Sequence, residues 1–254
     1  MTFQEGVLVP QASNGPPPST VLWGIADVLK VLGLVVVAFF LVLIPAATIA
    51  SRIAGGVDKI DDDPEALAFM LVVNMVIDVL LLLAALGFSV RKYGCSVAAL
   101  GLRAPQHGGF WLAFPVLMGA YAILAVYFGL VDVAQIESLE PDSTLPESTF
   151  DSLLVSITAC ILVIGFAPVI EEIFFRGFVF SAIRSRWGVI SGALVSGLLF
   201  SAVHADLGSL IPFSLIGALF ALTYAYSGSL VASIGAHLAF NTISMVATIA
   251  GLAD

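Results

Sequence analysis

The stretch that decides the fold is Ala167-Pro168-Val169-Ile170-Glu171-Glu172-Ile173-Phe174-Phe175-Arg176-Gly177. Two adjacent carboxylates and a guanidinium stand here inside sequence apolar enough to live in lipid. An ionisable group near the middle of a bilayer costs about 2.5–3.5 kcal/mol on insertion scales, so three so close together ask for a reason. On a helix Glu172 and Arg176 are i, i+4 neighbours and can pair. Glu171 points about 100° away around the same helix and finds no partner within its own segment. A plain structural account exists, in which the pair ties two helices together and interfacial water solvates Glu171. The other intramembrane polar residues weigh against it.

The surroundings set the class. Of the 254 residues, 60% are hydrophobic and only 11% charged, with a mean hydropathy of +1.10. Soluble domains carry about 25% charged residues, so the chain is predicted to be an all-α, polytopic integral membrane protein. Strands are excluded because no segment alternates as a membrane barrel strand must. The net charge of −9 comes without any basic stripe, which excludes nucleic acid as a partner. Much of the acid lies in two loops, Asp58 to Glu65 and Asp132 to Asp151, read as solvated and non-cytoplasmic. Cys95 and Cys160 fall far apart and support neither a disulfide framework nor a metal site.

Three parts are expected along the chain. Residues 1–20 are polar, with Asn14-Gly15-Pro16-Pro17-Pro18, and read as a disordered tail. Residues 21–150 hold three transmembrane helices, about Val21 to Ala50, Ala66 to Val90 and Phe110 to Leu130. Ala46-Ala47-Thr48-Ile49-Ala50 faintly resembles a signal-peptidase site. Its leader is proline-rich and lacks a basic start, so the run is read as a retained helix.

Residues 151–254 form an apolar core whose breaks must be read from turn residues. The segment Ser152 to Arg186 would be about 50 Å long as one helix, so a break is predicted at Pro168. Trp187-Gly188 turns the chain, a helix follows from Val189 to Val203, and two more span Ser209 to Tyr226 and Leu230 to Ile249. The bundle then has seven or eight spans, according to whether the pieces around Pro168 each cross. Small residues at four-residue spacing, Gly192 with Ser196, Ala193 with Gly197 and Gly217 with Ala221, predict close helix packing there.

Glu171 and His204 lie at equal offsets from the turn at Trp187-Gly188. In an antiparallel hairpin that puts a carboxylate and an imidazole at one depth, about 24 Å from the turn. Phe200 sits one helical turn before His204, on its face. His237 and Asn241 share a face of the last helix. His107, between Pro105 and Gly108, is read as merely solvated. The set Glu171, Glu172, Arg176, His204, His237 and Asn241 contains a base, two imidazoles and an amide donor, but no Ser-His-Asp order. That chemistry is hydrolysis by an activated water. Glu171 would take the proton, His204 would hold the water or share the proton, and His237 and Asn241 would donate to the oxyanion.

These residues resemble the CAAX protease and bacteriocin-processing (CPBP, or Abi) membrane proteases, which include the type II CAAX prenyl endopeptidases. The family pattern EExxxR, FxxxH, HxxxN is supplied in order by Glu171-Glu172…Arg176, Phe200…His204 and His237…Asn241. Leu100-Gly101-Leu102-Arg103 is similar to a short element of bacterial members. The resemblance covers about Asp151 to Ala250. It implies that Glu171 is the catalytic base, that His204, His237 and Asn241 complete the site, and that Glu172, Arg176 and Phe200 support it. It also implies a membrane-associated protein or peptide substrate.

Family members have been described both as metalloproteases and as glutamate-dependent hydrolases. A catalytic zinc takes three protein ligands, which here would be His204, His237 and a glutamate, Glu172 in the simplest set. The metal-free reading is taken, with no cofactor, and zinc is the alternative. Arg91, Lys92 and Arg103 mark their connector as cytoplasmic, in a chain expected at the cell membrane. Two non-peptidase readings stand beside the enzyme: a bacteriocin-immunity or scaffold protein, and a proton-coupled transporter, since Glu/His/Asn sets also relay protons.

Overall fold

Capping residues start and stop the helices of the computed structural model, which describes residues 21–140 and 145–251. The expected tail at 1–20 lies outside the described residues. Helix α1 (Ile25–Ala54) begins after extended Gly24, whose N–H donates to the Asp27 carboxylate at 3.2 Å, and ends at left-handed Gly55. Helix α2 (Pro64–Leu86) has Asp63 as its cap, accepting from the Glu65 and Ala66 amides at 3.1 and 2.9 Å, with Pro64 in the first turn where no N–H is missed. It runs on through a π-helical turn to Arg91. Helix α3 spans Ala113–Ala134. Helices α7 (Leu210–Ser227) and α8 (Leu230–Ile249) are separated by left-handed Gly228 and by Ser229, which caps α8.

The fourth long element departs from expectation. No break occurs at Pro168, and the chain stays helical from Leu153 to Ala202. Short α-helical pieces α4 (Leu153–Cys160) and α5 (Ala167–Glu171) alternate with π-helical ones at Ile161–Phe166 and Glu172–Phe180. The wider turn before the proline removes the need to break. Ala167 N–H already bonds to the Leu162 carbonyl, five residues back, so the next carbonyl in that register, Val163, would be served by residue 168. Proline has no N–H to give, and the helix simply skips one bond.

The fold-back comes at Gly188, with φ 84° and ψ 173°, inside α6 (Ser181–Ala202). A left-handed φ of this kind suits glycine. The two limbs then run antiparallel: Ser196 Oγ donates to the Phe175 carbonyl at 2.8 Å, and a Cβ on Gly192 would sit 3.1 Å from the Arg184 nitrogen. Six helices are long and apolar enough to cross a membrane. One of them is this element, folded back on itself at Gly188, and there is no strand among the described residues. It is a multi-pass integral membrane protein.

The C-terminal passes are packed tightest. A Cβ on Gly197 would lie 2.3 Å from the Ser214 carbonyl oxygen, so α6 and α7 meet backbone to backbone. The connector carrying Leu100-Gly101-Leu102-Arg103 clamps the α7–α8 turn. Leu230 N–H donates to the Gly101 carbonyl at 2.8 Å, Arg103 Nε to Gly228 at 2.8 Å, and Gln106 N–H to Ser227 at 2.8 Å. At the same end Asp27 accepts from Lys92 and, at 2.7 Å, from the Tyr93 hydroxyl. The bonds to Asp27 and Tyr93 hold the Lys92 ammonium above its ordinary range.

Candidate active site

The glutamate pair divides as its helical angles require. Glu172 is fully buried. Its Oε1 lies 2.9 Å from Arg176 Nη1 and 3.1 Å from His237 Nδ1, and its Oε2 accepts from the Ser233 hydroxyl. Both carboxylate oxygens are therefore engaged. Arg176 is equally buried and donates through Nη2 to the Gly217 carbonyl at 3.0 Å. Its Nη1 and Nε find no aligned hydrogen bond, so the short Nη1 contact is an ion pair rather than a directed bond. Aromatic faces cover the remaining guanidinium, with Phe200 and Phe220 centred 4.4 and 5.4 Å from Cζ. Gly217 makes room for this, since a Cβ there would approach Phe200 at 3.0 Å and Nη2 at 3.2 Å.

Glu171, one residue earlier, keeps 15% of its side chain exposed and has Oε2 3.7 Å from His237 Nε2. That distance exceeds a hydrogen bond. It is a separation that one water can bridge. His237 thus stands between the two carboxylates. Since Glu172 is the acceptor paired with Arg176, the proton of a neutral His237 sits on Nδ1, and Nε2 turns a lone pair toward Glu171. Phe220 stacks on the ring at 4.7 Å and fixes its plane.

His204 ends the returning limb of the hairpin. Its Nδ1 is 2.9 Å from the Phe200 carbonyl, which can only accept, so Nδ1 carries the proton and Nε2 is free. The returning limb, held against the outgoing one by the Ser196–Phe175 bond, carries His204 to the same end of the hairpin as Glu171. Phe200 lies between the imidazoles, 4.9 Å from His204 and 5.7 Å from His237. An open depression lined by Ser201, Ala202, Asp206 and Leu210 adjoins His204.

Asn241 is placed where the sequence does not point. Its amide Nδ2 donates at 2.8 Å to the carbonyl of Val163, the one that Pro168 leaves unserved. One amide hydrogen thus closes the gap in the π-helical turn, and the second is not needed there. The structure therefore brings Glu171, Glu172, Arg176, Phe200 and His237 into one connected group. His204 joins through Phe200, and Asn241 joins through the backbone before Pro168.

Two residues escaped the sequence reading. Ser233 lies one turn before His237 on the same face of α8, and its burial against Glu172 shows only in the fold. Asp78 lies midway along α2, 9% exposed, and its charge interacts with that of Glu171. A lone acid inside an apolar span was the available signal.

A zinc ion needs three donors with lone pairs to spare. Both Glu172 oxygens are already held, Oε1 by Arg176 and His237 and Oε2 by Ser233, inside a fully buried pocket. No three His, Cys, Asp or Glu side chains are grouped to hold an ion among the described residues. The set His204, His237 and Glu172 does not fit a resident zinc.

The fold and the site define a polytopic membrane protein with a buried acid–imidazole centre opening on a partly exposed glutamate. Residues 151–243 match the family model described as type II CAAX prenyl endopeptidase Rce1-like. The matched stretch is the one that carries the three motifs, in agreement with the resemblance read from them. No curated protein and no solved structure gives a significant match.

Proposed function

We propose that this protein is an intramembrane endopeptidase that cleaves a membrane-associated protein or peptide with a water activated by Glu171. The observation that carries this is the division of labour between neighbouring carboxylates. Glu172 is spent on Arg176, Ser233 and His237, while Glu171 stays partly exposed with His237 Nε2 3.7 Å from its Oε2.

In the proposed step a water lies between Glu171 Oε2 and His237 Nε2. Its oxygen attacks the peptide carbonyl carbon as Glu171 takes a proton. The second amide hydrogen of Asn241 is available to the oxyanion, where one donor is worth about 10²–10³ in rate. The C–N bond then breaks, and Glu171 returns its proton to the leaving amine nitrogen. His204 accepts a hydrogen bond through Nε2 and orients water or substrate. No metal enters this account. The family match favours a prenylated C-terminal CAAX segment as the substrate class, with the lipid chain held in the bilayer.

The test uses purified protein in lipid vesicles and a fluorogenic peptide ending in a farnesylated CAAX sequence. Wild type releases the terminal residues, and Glu171→Gln, which keeps the shape and loses the base, lowers kcat by about 10³-fold with unchanged thermal stability. Equal turnover by the two proteins overturns the base assignment.

A further inference from the structure

The residues that face Glu171 come from three elements. His237 arrives from α8, Glu172 and Arg176 share its own helix, and Asp78 belongs to α2, which packs along that helix and lies outside the segment that matches the family model. Asp78 is the costly one. It sits fifteen residues into an apolar span of 28 residues, buried, with no hydrogen bond or ion pair among the described residues. An acid in that position without structural use is a liability, because lipid solvates it poorly.

Its placement follows from how α2 lies along the fourth long element. Leu71 and Met75 share a cluster with Phe166 and Ala167, whereas Leu81 and Ala85 share one with Ile170, Ile173 and Phe174. The two helices therefore run parallel and in step. Asp78, between Met75 and Leu81 on the same face of α2, comes abreast of Ile170 and Glu171. Two carboxyls abreast in a site poor in water hold a single negative charge between them.

We propose that Asp78 is a positioning residue of the active site, which keeps the shared proton so that the Glu171 carboxylate remains the charged, water-facing partner. This rests on the reading of Glu171 as the base. It assigns to the N-terminal helices a part in the chemistry rather than in packing alone. A protonated carboxyl donates a hydrogen bond, which an asparagine amide imitates and a leucine does not.

The experiment uses the full chain in lipid vesicles as wild type, Asp78→Asn, Asp78→Leu and Glu171→Gln. Asp78→Leu is expected to lower kcat on the farnesylated peptide about tenfold, with KM within about twofold. Asp78→Asn is expected to keep a larger share. Leucine suits a lipid-embedded helix, so the leucine variant should melt no lower than wild type. Independently of cleavage, dicyclohexylcarbodiimide, which modifies protonated carboxyls in apolar surroundings, should label Asp78 in wild type and far less in Glu171→Gln, as read by peptide mass spectrometry. Full turnover by Asp78→Leu, or equal labelling of Asp78 in the two proteins, overturns the proposal. Loss in Glu171→Gln with Asp78→Leu unaffected keeps the base and removes Asp78. If wild type and Glu171→Gln cleave alike, the base assignment falls, and the labelling alone decides whether the two carboxyls share a proton.

Discussion

Helices α1 and α7 are both apolar enough to cross a membrane, yet they are built for different neighbours. The most apolar window of α1 is 11% buried, whereas that of α7 is 50% buried. Helix α1 shows lipid Leu34, Val37, Leu41 and Ile44, all more than half exposed. Helix α7 spends glycine and alanine on close approach to α6 and surrounds Arg176 with carbonyl and ring. Hydrocarbon drives no association between apolar helices in a bilayer, since lipid tails are as apolar as leucine. What holds the core together is therefore small-residue packing and polar pairing, and the costly polar residues gather where such packing excludes lipid.

Substitutions test that contrast from the strongest case downward. Arg176→Met should destabilise the fold by about 3–5 kcal/mol, because it strands the buried Glu172 carboxylate. Removing both charges as Glu172→Met/Arg176→Met should recover much of that loss in thermal melts, and a double variant no better than the single would show that the pair is not the unit. Gly197→Ala drives a methyl into the Ser214 carbonyl and should cost about 1–3 kcal/mol; wild-type stability there would mean α6 and α7 do not meet closely.

Asn241→Ala frees the Val163 carbonyl and should cost about 1–2 kcal/mol. The same change in a Pro168→Ala background should cost less, because residue 168 then has an N–H to offer. Equal cost in both backgrounds would detach Asn241 from the π-helical turn. Smallest is Leu41→Ala on the lipid face of α1, expected within about 0.5 kcal/mol of wild type. A large loss there would mean that α1 is covered by another chain.

Much of the site was legible because its elements are local or symmetric. Glu172 and Arg176 pair as i, i+4 neighbours. The fold-back between the limbs that carry Glu171 and His204 falls at Gly188, where Trp187-Gly188 announces it. His237 lies inside the bundle, as its cost in lipid demands. Pro168 was misread as a break, because a preceding π-helical turn changes which carbonyl a proline leaves unserved, and nothing local distinguishes that from an ordinary kink. The bond from Asn241 to the Val163 carbonyl was not legible for the same reason, since its partner is a backbone atom far away in sequence.

By itself the sequence determined the class, the passes and the identity of the polar residues, since hydropathy and helical period depend only on near neighbours. The tertiary structure alone decided which further groups bind Glu172, which ring stands before Glu171, and which helix packs alongside. Those outcomes depend on Ser233, His237 and Asp78 arriving from α8 and α2. Contacts between separate membrane helices are set by packing and rotation about each helix axis, and one helix's periodicity carries no record of its neighbour's.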